Sequence, residues 1–170
     1  MTKSMLTALF IATITSAAWS QQNVISDTMN VIKIDHVYTV FITAKLEETV
    51  KFYEQYFGFT KLFESGFFVL LQSAGDSKFN IAFMDEKHPT TPPNPRAFNG
   101  NGSFITLEVS DAKIVYESLK SRKLPIAYPL KDEPWGQRRF GVLDPNNLWV
   151  DVVEQIEPQQ GYWDQYMKKQ

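Results

Sequence analysis

The sequence predicts an α+β domain built from two tandem βαβββ modules, and three observations predict it. The first is an internal repeat. The run His36-Val37-Tyr38-Thr39-Val40-Phe41-Ile42-Thr43-Ala44-Lys45-Leu46 opens one unit, and Phe104-Ile105-Thr106-Leu107-Glu108-Val109-Ser110-Asp111-Ala112-Lys113-Ile114 opens another 68 residues on. Each run is strand-like, breaks at Thr or Ser-Asp, and passes into a helical pattern. The second is that each unit closes on a further apolar strand, Asn80 to Asp85 and Trp149 to Glu154. The third is composition: 170 residues, 44% of them hydrophobic, suit one domain. A core of that size buries roughly 68–70% of the unfolded chain's surface without a disulfide or structural metal. A duplicated module constrains fold and pocket together.

The N-terminus reads separately. Lys3 supplies a positive start, Leu6 to Ala17 is apolar, and Ala18-Trp19-Ser20 places small residues before Gln21. This is the pattern of a secretory signal peptide, too short for a permanent membrane span, so the chain is expected to be exported to the periplasm or secreted, cleaved near Ser20 and free of the membrane afterwards. The alternatives are a frayed helix or a true start at Met29. Residues 21–33 form a polar lead-in.

Within residues 34–157, module one covers 34–86, a linker 87–102 and module two 103–157. Ile34 to Phe41 reads as a strand buried on both faces. Thr43 is expected to cap the next helix, with Glu47 and Glu48 favouring the positive end of its dipole. Leu46, Val50, Tyr53 and Phe57 form its apolar stripe, and Gly58 stops it. Strands follow at Phe59 to Phe63, Phe67 to Gln72 and Phe79 to Met84. Pro89, Pro92, Pro93 and Pro95 then exclude a helix or central strand from the linker. In module two, Ser103 to Val109 is a strand, and Asp111 caps a helix whose apolar face is Ile114, Val115 and Leu119. Pro125 begins the next strand, and Lys131 to Gly136 reads as a loop. Gln137 to Leu143 and Leu148 to Gln155 form a hairpin across Asp144-Pro145-Asn146-Asn147. The tail, 158–170, is too aromatic to be a solvated end and is expected to pack on the domain or on a partner subunit.

Several chemistries are excluded or disfavoured. With no cysteine there is no thiolate catalysis, thiolate metal site or disulfide. A formal charge of -2 with no basic stripe disfavours nucleic acid as a partner.

The sequence resembles the vicinal oxygen chelate superfamily, the glyoxalase, bleomycin-resistance and extradiol-dioxygenase group. The likeness rests on the opening His36-Val37 strand and on Thr49-Val50-Lys51-Phe52-Tyr53-Glu54 ending in Phe57-Gly58-Phe59. It rests also on Phe140-Gly141-Val142-Leu143-Asp144-Pro145-Asn146-Asn147-Leu148-Trp149-Val150-Asp151-Val152, with Glu133-Pro134-Trp135-Gly136-Gln137-Arg138 as a further recurring segment. It implies a cupped mixed sheet, often a homodimer, and in metal-dependent members four ligand slots inside the cup. Counting along the repeat places those slots at His36, Ala82 (or Asn80 on a two-residue slip), Phe104 and Asp151. Phe104 and Ala82 cannot donate to a metal, whereas catalytic zinc or iron normally takes three protein ligands. Glu108 cannot substitute, since four strand residues at about 3.3 Å each carry it some ~13 Å along the sheet.

No cofactor is therefore expected, with a divalent metal as the alternative. The expected function is metal-independent binding of a small organic molecule in an aromatic-lined pocket. Tyr38, Phe104, Trp135 and Trp149 would supply rings, and Arg138 and Arg139 would orient polar groups. The alternative is a lyase, isomerase or dioxygenase-like enzyme using His36 and Asp151 as metal ligands or as an acid/base pair. His88, before Pro89, reads as exposed.

Overall fold

In the computed structural model, which describes residues 32, 34–90 and 96–167, eight strands form two four-stranded sheets of identical topology. The expected signal peptide and most of the lead-in lie outside the described residues. The chain divides at Asp35/His36, and every described strand and helix belongs to the second unit, His36–Gln170.

Module one comprises β1 (Thr39–Thr43), α1 (Leu46–Phe57), β2 (Thr60–Glu64), β3 (Phe68–Gln72) and β4 (Asn80–Asp85). Module two comprises β5 (Phe104–Glu108), α2 (Ala112–Ser121), β6 (Tyr128–Glu133), β7 (Gln137–Leu143) and β8 (Trp149–Gln155). The sheet orders are β1-β4-β3-β2 and β5-β8-β7-β6. Only the first and last strands of each module, β1 with β4 and β5 with β8, run parallel. The α+β class and the duplicated βαβββ plan expected from the sequence are thus both present.

Local chemistry sets the element ends. Gly58 takes φ 67°, and the Phe59 N–H reaches back to the Tyr53 carbonyl, closing α1 with a left-handed cap. Asp111 accepts from the Ile114 N–H at 2.8 Å and starts α2, while Glu154 accepts from Ala112 N–H at 3.0 Å. Five expectations need correction. Lys45, not Thr43, holds the N-cap position of α1; Thr43 instead accepts the Lys45 N–H. The first strand begins at Thr39, and Ile34, Val37, Tyr38 and Val40 are exposed rather than buried. The β1–β4 ladder begins only at Thr39, so the apolar residues before it are not sandwiched in the sheet. Lys131, Asp132 and Glu133 belong to β6, because a bulge between Tyr128 and Lys131 lets polar residues continue the ladder. Ile114 is exposed, and α2 packs through Ala112 and Leu119. His88 is half-buried, its ring stacked on Phe67 at 3.4 Å, with Nδ1 2.8 Å from Thr90 Oγ1.

One hydrophobic cluster spans both modules and includes Phe41, Val50, Tyr53, Phe83, Leu119, Phe140, Val142, Val150 and Val152. The Asp144–Asn147 turn docks module two onto the start of α1 through a buried polar network. Thr43 Oγ1 donates to Asn146 Oδ1 at 2.6 Å, and Asn146 Nδ2 donates to Thr49 Oγ1 at 3.0 Å. Asp144 Oδ1 accepts from the Asn146 and Leu148 N–H groups at 2.7 and 2.9 Å, and Tyr53 OH donates to Oδ2 at 3.4 Å. Burial raises the Asp144 pKa, and the bonds from Leu148, Asn146 and Tyr53 only partly offset that. Asn147, at φ 62°, supplies the left-handed residue that lets the turn close. Replacing Asn146→Ala removes the acceptor of the buried Thr43 hydroxyl and a donor to that of Thr49, so urea denaturation should show a loss of about 1–3 kcal/mol. An unchanged midpoint would mean that this network does not hold the modules together.

Candidate functional site

Each sheet has one face covered by its own helix and one turned away from it. Strand alternation assigns the residues. On the second sheet, Phe140, Val142, Val150 and Val152 pack in the core. The other face therefore carries Phe104 and Thr106 from β5, Trp149 and Asp151 from β8, Arg139 and Gly141 from β7, and Tyr128 and Glu133 from β6. Backbone register sets them side by side: Phe104 lies opposite Trp149, Thr106 opposite Asp151, and Asp151 opposite Gly141.

At the centre lies a charge cluster. The Asp151 side chain is only 6% exposed, so its carboxylate must be neutralised locally. Arg139 Nη1 donates to both Asp151 oxygens at 3.3 Å, and Trp149 Nε1 donates to Oδ1 at 3.2 Å. Arg139 Nε donates to Glu133 Oε1 at 3.2 Å, and Tyr128 OH donates to the same oxygen at 2.7 Å. Lys131 Nζ stands 3.5 Å from Glu133 Oε2. The Arg139 guanidinium carbon lies 5.0 Å from the Tyr128 ring centre and 5.2 Å from that of Trp135. Burial acts first to raise the Glu133 pKa. The hydrogen bonds from Tyr128 and Arg139 and the charges of Lys131 and Arg139 outweigh it and hold the carboxyl below its ordinary 4.5.

The Trp149 indole lies across Gly141: a Cβ at that glycine would fall 2.2 Å from Cζ2. A strand glycine marking a close approach is a readable signal, and the sequence reading passed over it. It also passed over Glu133, assigned to a loop, and Tyr128. Trp135 lies in the turn between β6 and β7, Nε1 donating to Gln137 Oε1 at 2.9 Å. From the tail, Trp163 Nε1 donates to the Trp135 carbonyl at 3.1 Å, and Tyr162 stands 6.3 Å from the Trp135 ring.

The other expected site residues are placed differently. Arg138 lies on the α2 side of β7, bonded to Asp132 at 2.6 and 2.9 Å, and does not join the cluster. His36 is exposed upstream of β1, and the recorded partners of Asp151 are Arg139 and Trp149, so the expected His36–Asp151 pair is not formed. The helix caps show why His36 was matched to the wrong position. Lys45 corresponds to Asp111, 66 residues on, so the counterpart of Phe104 is Tyr38. Counting from the upstream end of the apolar run slipped by two, which keeps the face but moves the residue one strand step away. Ala82 does correspond to Asp151, since Phe41 pairs with Phe83 as Leu107 pairs with Val152. The four equivalent positions therefore hold Tyr38, Ala82, Phe104 and Asp151. Among the described residues, no three His, Asp or Glu side chains are grouped to hold a metal. A cleft of about 470 Å³ between α1 and the β2–β3 hairpin is on the helix side of the first sheet. It is lined by Glu47, Lys51, Glu54, Lys61 and Glu64 and offers no ring to an organic ligand.

Two outcomes follow from this geometry. Glu133 has a lowered folded pKa, so its stabilisation is present above the unfolded value and is lost as pH falls through the folded one. Urea midpoints measured from about pH 5 down to about pH 2 should fall less steeply in Glu133→Gln than in the parent; parallel acid limbs would contradict the assignment. Gly141→Ala, at an ordinary φ, must push the indole aside, and the Trp149 contribution to near-UV circular dichroism should change while the far-UV spectrum stays.

A family model for the glyoxalase/bleomycin resistance protein/dioxygenase superfamily matches residues 33–152. No curated protein matches the chain. Among solved structures, a glyoxalase/bleomycin resistance protein/dioxygenase from Nocardioides is 20% identical, with TM-score 0.60, covering 74% of this chain and 87% of its own. A superfamily member from Sphaerobacter thermophilus is 23% identical, with TM-score 0.59, covering 73% and 100%. A lactoylglutathione lyase from Agrobacterium tumefaciens is 15% identical, with TM-score 0.57, covering 72% and 95%. The solved structures share the fold, and the sequence match adds the lineage: this chain belongs to the glyoxalase/bleomycin resistance protein/dioxygenase superfamily.

Proposed function

We propose that the protein binds a small organic molecule on the aromatic face of its second sheet, without a metal ion. One observation carries this reading. The one carboxylate among the four equivalent positions, Asp151, is already bonded through both oxygens to Arg139. Phenyl and methyl groups stand at Phe104 and Ala82, and neither can bind a metal. With the Tyr38 hydroxyl as the one further oxygen, the donor set falls short of the three protein ligands that a catalytic divalent ion takes. Rings supply the remaining surface: Phe104 is 64% exposed, apolar area that a covering ligand would remove from water. Trp149 stands beside it on β8, and Tyr128 lies beyond, its ring centre 6.3 Å from that of Trp149.

Assembly fits the same reading. β1 and β5 are outer strands of their sheets and expose Val40 and Phe104, with Tyr38 exposed just before β1. Open apolar edges of this kind invite pairing with a second chain, so a homodimer is the proposed working form. Export after cleavage near Ser20 is proposed on the N-terminal pattern alone.

The test uses 2-ethylnaphthalene, a planar aromatic with no polar group, followed by calorimetry. It should bind at one saturable site, and Phe104→Ala should weaken it about tenfold, ~1.4 kcal/mol. The control Phe79→Ala, exposed just before the other sheet's β4, should leave binding unchanged. Equal loss in both variants, or none in either, would remove the second sheet's face as the site.

A further inference from the structure

On the aromatic face proposed above, and resting on that reading, we propose that the Arg139 guanidinium takes the place of a metal ion as the group receiving the ligand's oxygen, and that the ligand is a neutral planar aromatic carrying a carbonyl. Arg139 commits Nε to Glu133 and Nη1 to Asp151, and Nη2 has no hydrogen-bond partner among the described residues. That nitrogen is also reachable from solvent, because no buried side-chain nitrogen or oxygen among the described residues lacks a partner. The other ring donors nearby are spent: Trp149 Nε1 on Asp151, Trp135 Nε1 on Gln137 and Tyr128 OH on Glu133. Tyr128 and Trp135 cover the guanidinium from their ring faces, so an incoming group meets its edge. A guanidinium only donates, so the ligand atom there must accept.

Charge balance selects a neutral acceptor. Arg139 and Lys131 offset Glu133 and Asp151, leaving the cluster without net charge. A ligand carboxylate on Nη2 would gain one attraction at hydrogen-bond distance. It would also be repelled by the carboxylates of Asp151 and Glu133, both already bonded to the same guanidinium, and this offsets part of the gain. The carboxylate's desolvation would remain as a cost. A carbonyl makes the same charge-assisted bond without that cost. Attached to a planar ring, it places the ring against Trp149 and Phe104, which register sets side by side on the same face.

Three probes of one shape test this by calorimetry: 2-acetylnaphthalene, 2-naphthoate and 2-ethylnaphthalene. The ketone should bind about tenfold tighter than the hydrocarbon and at least as tightly as the acid. In Arg139→Lys, which keeps the charge beside Asp151 and loses the fork, the ketone's advantage should shrink to less than about twofold. Should that variant fail to fold, the parent protein still decides, because the three affinities are compared on it alone. Ketone and hydrocarbon binding equally would overturn this inference and leave the aromatic-face reading standing. Tighter binding of the acid would overturn the neutral class. Failure of all three probes to bind would overturn both readings.

Discussion

A carboxylate inside a sheet cannot stand alone, and Asp151 imposes that constraint on everything around it. Its side chain is 6% exposed, so a cation must lie within bonding distance. Arg139 meets the demand from β7, next but one to the residue directly opposite Asp151. Because Arg139 is itself half-buried, Glu133 is drawn in from β6 to pair its Nε, and Tyr128 bonds that second carboxylate. Gly141, opposite Asp151, must then be small so that the Trp149 indole can cross it and donate to the same carboxylate. The residues of the face are consequences of one buried charge.

The duplication shows how the two modules diverged under the same plan. In the first sheet, the positions matching Asp151, Arg139 and Trp149 hold Ala82, Phe68 and Asn80. With no carboxylate there is no need for a cation, and that face is mostly apolar. The second sheet concentrates the polar chemistry. The two halves are held in register by Asp144 and Asn146, which satisfy the hydroxyls of Thr43 and Thr49 and the backbone of their own turn. The Asp-Pro-Asn turn that marks the family in sequence is thus an inter-module clasp.

Much of this was legible beforehand. The repeat, the two helices and the last hairpin follow from apolar periodicity and caps, which are local signals. The rings Phe104 and Trp149, and the need of Asp151 for a partner, follow from alternation plus the rule that buried carboxylates need partners. What was not legible depended on pairing between strands. Glu133 looked like loop because a bulge, invisible in one strand's sequence, restores the ladder after Tyr128. Arg138 and Arg139 are adjacent, and only the register separates the one that meets Asp151 from the one that meets Asp132. Matching His36 to Phe104 requires the whole apolar run to be strand, whereas β1 starts only at Thr39. The helix cap, where the chain must turn, is the firmer reference point.

The central claim is that an internal guanidinium, and not a metal, neutralises Asp151. Calorimetric titration of the chelator-stripped protein from Gln21 onward with nickel, zinc, manganese and iron(II) tests it most directly. The account predicts no stoichiometric binding of any of the four. Tight binding at one site per chain, lost in Asp151→Asn, would contradict it and would mean that Arg139 yields its place to an ion.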